Sequence, residues 1–170
     1  MQDGNVVGMQ GAQFRPAARV LLIDDKDRVL LIRVTLPHRP EVRLWITPGG
    51  GIGSGETPRS AASRELYEET GMRAVNLGPC VWKRRHIWRW KEKWIDSEEW
   101  FYLLRTPTFE ASPAAPDEWE TEYMHEQRWW SVAELVDGAD TETFVPRNLS
   151  ELLPPILAGG IPAQPIEIGA

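Results

Sequence analysis

Two runs of consecutive apolar residues, Ala17 to Ile23 and Val29 to Val34, flank the acidic turn Asp24-Asp25-Lys26-Asp27. Apolar side chains at successive positions predict strands covered on both faces. Leu36 to Val42 holds two prolines and reads as a loop, and Leu44 to Thr47 as a brief strand. The pattern then changes to a helix over Pro58 to Thr70, with Leu66, one turn after Ala62, as its anchor to a core. Extended structure restarts at Arg73 to Leu77. Val81 to Trp90 and Trp94 to Arg105 predict a hairpin around Lys91-Glu92-Lys93. Thr106 to Tyr123, rich in Pro, Ala and acidic residues, reads as a long loop, and Gln127 to Trp130 as a last strand. Ser131 is placed to cap a helix through Val136, and Asn148 another that ends near Pro154. Residues 1–15 read as a loose arm and 159–170 as a tail, leaving one domain over 16–158. Strands with helices on both sides make an α/β sandwich.

At 170 residues the chain is long enough to bury a proper core, with no repeat or second domain. A net charge of −6 argues against nonspecific or duplex nucleic-acid binding, which wants a basic surface. No apolar run reaches the length of a membrane span. Met1 to Gln13 lacks a basic region followed by an apolar core, so cytoplasmic placement is expected. The single cysteine, Cys80, excludes an intrachain disulfide and a multi-cysteine zinc site, and its setting after Pro79 predicts a buried thiol.

One stretch carries the chemistry. Gly49-Gly-Gly-Ile-Gly-Ser-Gly-Glu56 feeds the helix, Thr57 is a suitable N-cap, Pro58 suits the first helical position, and Gly71 suits its end. Glu65, Glu68 and Glu69 stand at i, i+3 and i+4, on one helix face. Such like charges destabilise a helix by roughly 0.2–0.5 kcal/mol per pair. A hard divalent cation would reverse that effect, and the small Ala61 and Ala62 beside the acidic face leave room for ions and phosphates. Arg64, one turn before Glu68, is placed to orient that carboxylate.

Gly50, five residues, Glu56, seven residues, then Arg64-Glu65-Leu66-Tyr67-Glu68-Glu69-Thr70-Gly71-Met72 resembles the box of the Nudix hydrolases at every defining position. Many members carry Glu where this chain has Gly53, a position outside the defining pattern. The resemblance implies a Nudix-type α/β/α sandwich around a mixed sheet. It also implies metal-dependent cleavage of a diphosphate linkage in a nucleoside diphosphate derivative, with Mg²⁺ the expected ion and Mn²⁺ a substitute. Glu68 and Glu69 match the principal metal ligands, with Glu65 as ligand or base and Glu56 in support. The Gly50 carbonyl is a further candidate ligand, because glycine lets main chain approach closely.

The box leaves the general base open between Glu65 and a later loop carboxylate among Glu118, Glu120, Glu122 and Glu126, with Glu126 the first choice. His86 and His125 are possible donors to phosphate. In the hairpin, alternation groups Trp82, Arg84, His86, Trp88 and Trp90 on one face. Rings interleaved with cations suit a nucleotide, so Arg84, His86 and Trp88 are candidate substrate contacts. They equally suit a cover for the sheet or a homodimer contact.

Two other classes compete. An isomerase of Nudix type would need a catalytic cysteine, and Cys80 is the sole candidate; a ligand sensor would tend to lose box glutamates that are all kept here. The downstream proline of the ADP-ribose type is missing between Pro79 and Pro107, as are the NADH-type and coenzyme A-type signatures. The MutT-like group remains, with a nucleoside triphosphate or modified nucleotide as expected substrate. A dinucleoside polyphosphate or nucleotide sugar is the alternative.

Overall fold

The computed structural model describes residues 11–73, 76–116 and 118–169, with only the backbone of Trp119 and Glu120. Most of the expected N-terminal arm and part of the Arg73 to Leu77 segment therefore lie outside the described residues.

Two long strands form the backbone of the fold: β1 (Gln13–Ile23) runs parallel to β6 (Lys93–Arg105) along its whole length. Its other edge behaves differently. β2 (Val29–Leu36) pairs with β1 only where the turn joins them, at Ile23 and Val29. Further along, β1 pairs instead with the short β4 (Gly49–Gly51), while β2 pairs with β3 (Arg39–Ile46) and with β7 (Met124–Trp130). The resulting splay between β1 and β2 opens the interior beside the glycines. β5 (Cys80–Trp90) completes the hairpin with β6, and β8 (Phe144–Val145) lies parallel to β3.

Alternation along β1 and β2 sends apolar side chains to both faces, as the unbroken apolar runs require. Ala18, Val20, Leu22 and Leu30 pack under Ala61, Ala62 and Leu66 of α1 (Pro58–Thr70). Leu21, Ile23, Val29 and Leu31 pack on the other side with Leu135 of α3 (Val132–Asp137) and Leu149, Leu153 and Ile156 of α4 (Leu149–Leu157). The α/β/α sandwich around a mixed sheet is thus present. Leu66 is fully buried where α1 meets the sheet, so Leu66→Ala is expected to cost about 2–5 kcal/mol, measured by urea unfolding.

Five elements differ from the expectation. β1 begins at Gln13, inside the expected arm. β3 covers most of the expected Leu36 to Val42 loop and includes Pro40, tolerated because β8 pairs only with Trp45 and Ile46 and leaves the edge at Pro40 open. The long loop contains a short helix, α2 (Glu118–Tyr123), and α4 runs through Pro154 and Pro155 to Leu157, its buried apolar face outweighing the lost backbone bonds. The expected tail returns to the sheet as β9 (Ile166–Ile168), parallel to β5, with Ile168 in the core.

Candidate active site

Thr57 and Ser60 fix the start of α1 by a reciprocal capping box, each hydroxyl accepting from the other's backbone N–H at 3.1 and 2.9 Å. Gly71 ends it at φ +77°, donating to the Tyr67 carbonyl. The next three carbonyls are also satisfied: Glu68 by Ala114 N–H, Glu69 by the Gln127 side chain, Thr70 by Ser112 N–H. The long loop and β7 therefore strap the end of the acidic helix in place.

Arg64 organises the carboxylates. Its Nε donates to Glu56 Oε1 at 2.8 Å, and its Nη1 donates to Glu65 Oε1 at 2.7 Å and Glu68 Oε2 at 2.9 Å. Nη2 reaches Glu56 Oε2 and the Gly51 carbonyl, both at 3.0 Å. This is a wider role than orienting Glu68 alone. Arg64, with help from the Gly53 N–H, lowers the Glu56 carboxyl to about 2. Burial pushes Glu65 the other way, above the usual carboxylate range despite Arg64.

The glycines are needed for approach. At Gly49, φ is +138° and a Cβ would lie 2.2 Å from the Ala18 carbonyl oxygen. A Cβ at Gly50 would lie 2.7 Å from the Glu65 carboxylate. Since a carboxylate tip can shift, Gly50→Ala is expected to leave the fold intact. Displacing Glu65 should nonetheless lower turnover roughly 100-fold, read from kcat beside an unchanged melting curve. Glu69, buried, accepts from the Gly49 N–H at 2.7 Å.

Gly50, Glu56, Glu65, Glu68 and Glu69 are thus gathered where β4 meets α1. Their donors are all oxygen, the chemistry that a hard divalent cation takes. Among the described residues, no three acidic, histidine or cysteine side chains converge into a ready-made metal cage. An arriving dication would take over oxygens that now accept from Arg64.

A cavity of about 580 Å³ opens beside this cluster, with Gly49–Gly51, Glu65 and Glu69 on one wall and Arg84, His86 and Trp88 on another. Arg15, Arg39, Arg89 and Lys91 add positive charge, so this pocket is basic in an acidic chain. Of the hairpin face grouped by alternation, Arg84, His86, Trp88 and Trp90 line it, while Trp82 is buried in the core with Leu135 and Leu149. Arg84, however, is almost wholly buried and committed to Glu99, donating to Oε2 at 2.8 and 2.5 Å. A larger cavity, about 870 Å³, lies behind the end of α1 among Phe109, Met124, Gln127 and Trp129. Of the box carboxylates only Glu69 reaches it, whereas Glu65 and Glu69 both line the smaller cavity.

Glu126 lines the larger cavity, which Glu69 also reaches, and does not line the smaller one. Alternation on β7 turns Gln127 toward α1, where Nε2 donates to the Glu69 carbonyl at 2.7 Å. Glu126 pairs with Arg33, its Oε2 at 3.2 Å from the guanidinium. Glu118 and Glu122 are exposed on α2, the side chain of Glu120 lies outside the described residues, and His125 bonds Thr35 at 3.0 Å. The Cys80 thiol donates to the Trp82 carbonyl, and burial pushes its pKa up; it does not line the smaller cavity.

A model described as the NUDIX domain matches residues 13–153. The chain belongs to the Nudix family. Among curated relatives, the RNA pyrophosphohydrolase of Bartonella bacilliformis is 69% identical over 76 residues, which cover 42% of this chain and 45% of that protein. The RNA pyrophosphohydrolase of Mesorhizobium japonicum is 66% identical over 68 residues, 38% of this chain and 39% of that protein. The Nudix chain thus matches less than half the length of these relatives. The MutT protein from Methanosarcina mazei Go1 aligns with a TM-score of 0.62 at 19% identity, covering 84% of this chain and 94% of that one. A C. elegans Ap4A hydrolase aligns at 0.57 and 19% identity, covering 85% and 98%. At such identities the likeness is one of fold.

Three residues packed around the carboxylate cluster carried no signal in the sequence. Arg19 bonds Glu99 and the Gly49 carbonyl, Glu99 lies 1% exposed among Arg19, Arg84 and His86, and Gln127 holds the Glu69 carbonyl. Burial opposes the charge on Glu99, but Arg19, His86 and Arg84 outweigh it and hold the carboxyl well below its usual range.

Proposed function

We propose that this chain is a divalent-metal-dependent pyrophosphohydrolase acting on a nucleoside diphosphate derivative. The observation that carries this is the Arg64-centred carboxylate cluster at the wall of a basic cavity. Glu56, Glu68 and Glu69, with the Gly50 carbonyl, would hold Mg²⁺ or Mn²⁺, with Glu65 as a further ligand or as the general base. When bound, the ion would neutralise phosphate oxygens and lower the pKa of water.

The chain's own groups supply the rest. Arg15, Arg39 and Arg89 draw an oligophosphate into the cavity, and the Trp88 ring and His86 offer contacts to the nucleoside and phosphate. In the base role Glu65 is favoured over Glu126, because it lines the smaller cavity beside Gly50, whereas Glu126 pairs with Arg33. The thiol position disfavours isomerase chemistry, and the complete carboxylate set disfavours a sensor.

A nucleoside triphosphate or modified nucleotide remains the expected substrate, with dinucleoside polyphosphates and nucleotide sugars as alternatives. The names of the relatives add an RNA end to the panel. Phosphate and pyrophosphate release with Mg²⁺, measured over these four classes, tests the proposal; no release from any of them rejects it. Trp88→Ala should raise KM about tenfold without changing mass in solution, if the ring stacks on the base. A dimer-to-monomer shift in light scattering with unchanged kinetics would assign the hairpin to an interface instead.

A further inference from the structure

We propose that Arg19, locked by Glu99, is a positioning residue for the α1 carboxylates, acting through the backbone of Gly49; this rests on the hydrolase reading above. The contacts form one continuous path. Glu99 Oε1 accepts from Arg19 Nε at 3.1 Å, and Arg19 Nη1 donates to the Gly49 carbonyl at 2.8 Å and the Thr47 carbonyl at 3.3 Å. On the other side of the same glycine, the Gly49 N–H donates to Glu69 Oε2 at 2.7 Å. Arg19 therefore fixes the peptide segment that holds a box carboxylate, although it touches none of the box carboxylates at hydrogen-bond distance.

The geometry makes the path stiff. Glu99 is 1% exposed, and its second oxygen is held by Arg84 at 2.8 and 2.5 Å, so the carboxylate has no freedom to turn. Arg19 lies directly opposite Gly49 in the β1–β4 pairing, and the strands are packed so closely there that no Cβ fits. β4 is only three residues long and pairs with nothing beyond β1 among the described residues. A short strand paired along one edge relies on side chains for the rest: Arg64 holds the Gly51 carbonyl, and the Arg19 guanidinium holds the Gly49 carbonyl from the side. A planar fork with five donors can serve a carboxylate and two carbonyls together; an ammonium at the same site cannot match that geometry.

The test is Mn²⁺ binding to the full chain, followed by electron paramagnetic resonance without substrate, beside steady-state kinetics. Arg19→Lys keeps the charge and removes the fork. It should weaken Mn²⁺ binding roughly tenfold and lower kcat by a similar factor. The nucleotide KM should stay within about threefold, because uniform binding is untouched. Arg85→Gln, which removes an exposed pair with Asp96 on the outer face of the hairpin, is the control and should change neither. If Arg19→Lys does not fold, Glu99→Asp reads the same path, since withdrawing the carboxylate by one methylene frees Arg19. A folded variant with a lower melting temperature but wild-type Mn²⁺ affinity would show a merely structural role and overturn the inference, leaving the hydrolase reading intact. A wild-type protein that neither binds Mn²⁺ nor hydrolyses any substrate would overturn both.

Discussion

Replacing Glu69 by Gln is expected to lower kcat by about two orders of magnitude or more while leaving the protein folded. The side chain is buried, and the amide oxygen of Gln can still accept from the Gly49 N–H, so the local structure survives. What is lost is a full negative charge on the face that Glu65 and Glu68 share. That charge attracts a divalent cation and repels its neighbours on the helix when no ion is bound. The metal-free variant should therefore unfold no more easily than wild type. Kinetics at saturating substrate and Mg²⁺, with circular dichroism on the same sample, decide the matter. Turnover within threefold of wild type would remove Glu69 from the machinery.

The largest stability effect is expected at Glu99. Glu99→Gln leaves Arg84 buried without its carboxylate, and breaking such a pair typically costs about 3–5 kcal/mol. In a chain of this size that lowers the melting temperature on the order of 10 °C. The pH dependence has a definite sign. The folded carboxyl is held below its unfolded value, so its contribution is fully present above roughly pH 4.3 and fades as pH falls from there toward the folded pKa. Wild type should thus lose stability in acid more steeply than Glu99→Gln. Equal melting temperatures for the two proteins at pH 7 would mean that the buried network contributes nothing.

The difference between these two glutamates shows what the sequence could reveal. Glu69 sits in one continuous stretch with Gly50, Glu56, Arg64 and Gly71, where helical spacing alone puts three carboxylates on a face. Its partners are local, and so is the signal. Glu99 acquires its role only because β1 and β6 run parallel and bring it to Arg19, 80 residues away in sequence. Read singly, it is a charged residue in a strand. Gln127 is similar: its meaning comes from the β2–β7 pairing and from which face of β7 looks at α1. The face that Gln127 presents is not determined by the short run Arg128-Trp129-Trp130.

For the fold, the consecutive apolar residues of β1 and β2 announced a sheet covered on both sides, and Thr57-Pro58 announced the helix start. The misreadings lay where local preference and tertiary context disagree. Pro40 is a poor strand residue that an open edge tolerates, and Pro154 and Pro155 are poor helix residues that buried Leu153 and Ile156 carry along. The return of Ile166–Ile168 to the sheet depends on β5 offering an edge, which no feature of the tail itself discloses.

The reaction can be tested directly by running it in oxygen-18 water with Mg²⁺ and weighing the products by mass spectrometry, with and without a chelator. A hydrolase of the kind proposed releases phosphate or pyrophosphate with one heavy oxygen on one of the two product phosphoryl groups. The chelator should stop the reaction, and Glu69→Gln should slow it about 100-fold or more. Cleavage that continues undiminished in the chelator, or products without heavy oxygen, would contradict metal-dependent hydrolysis at this site.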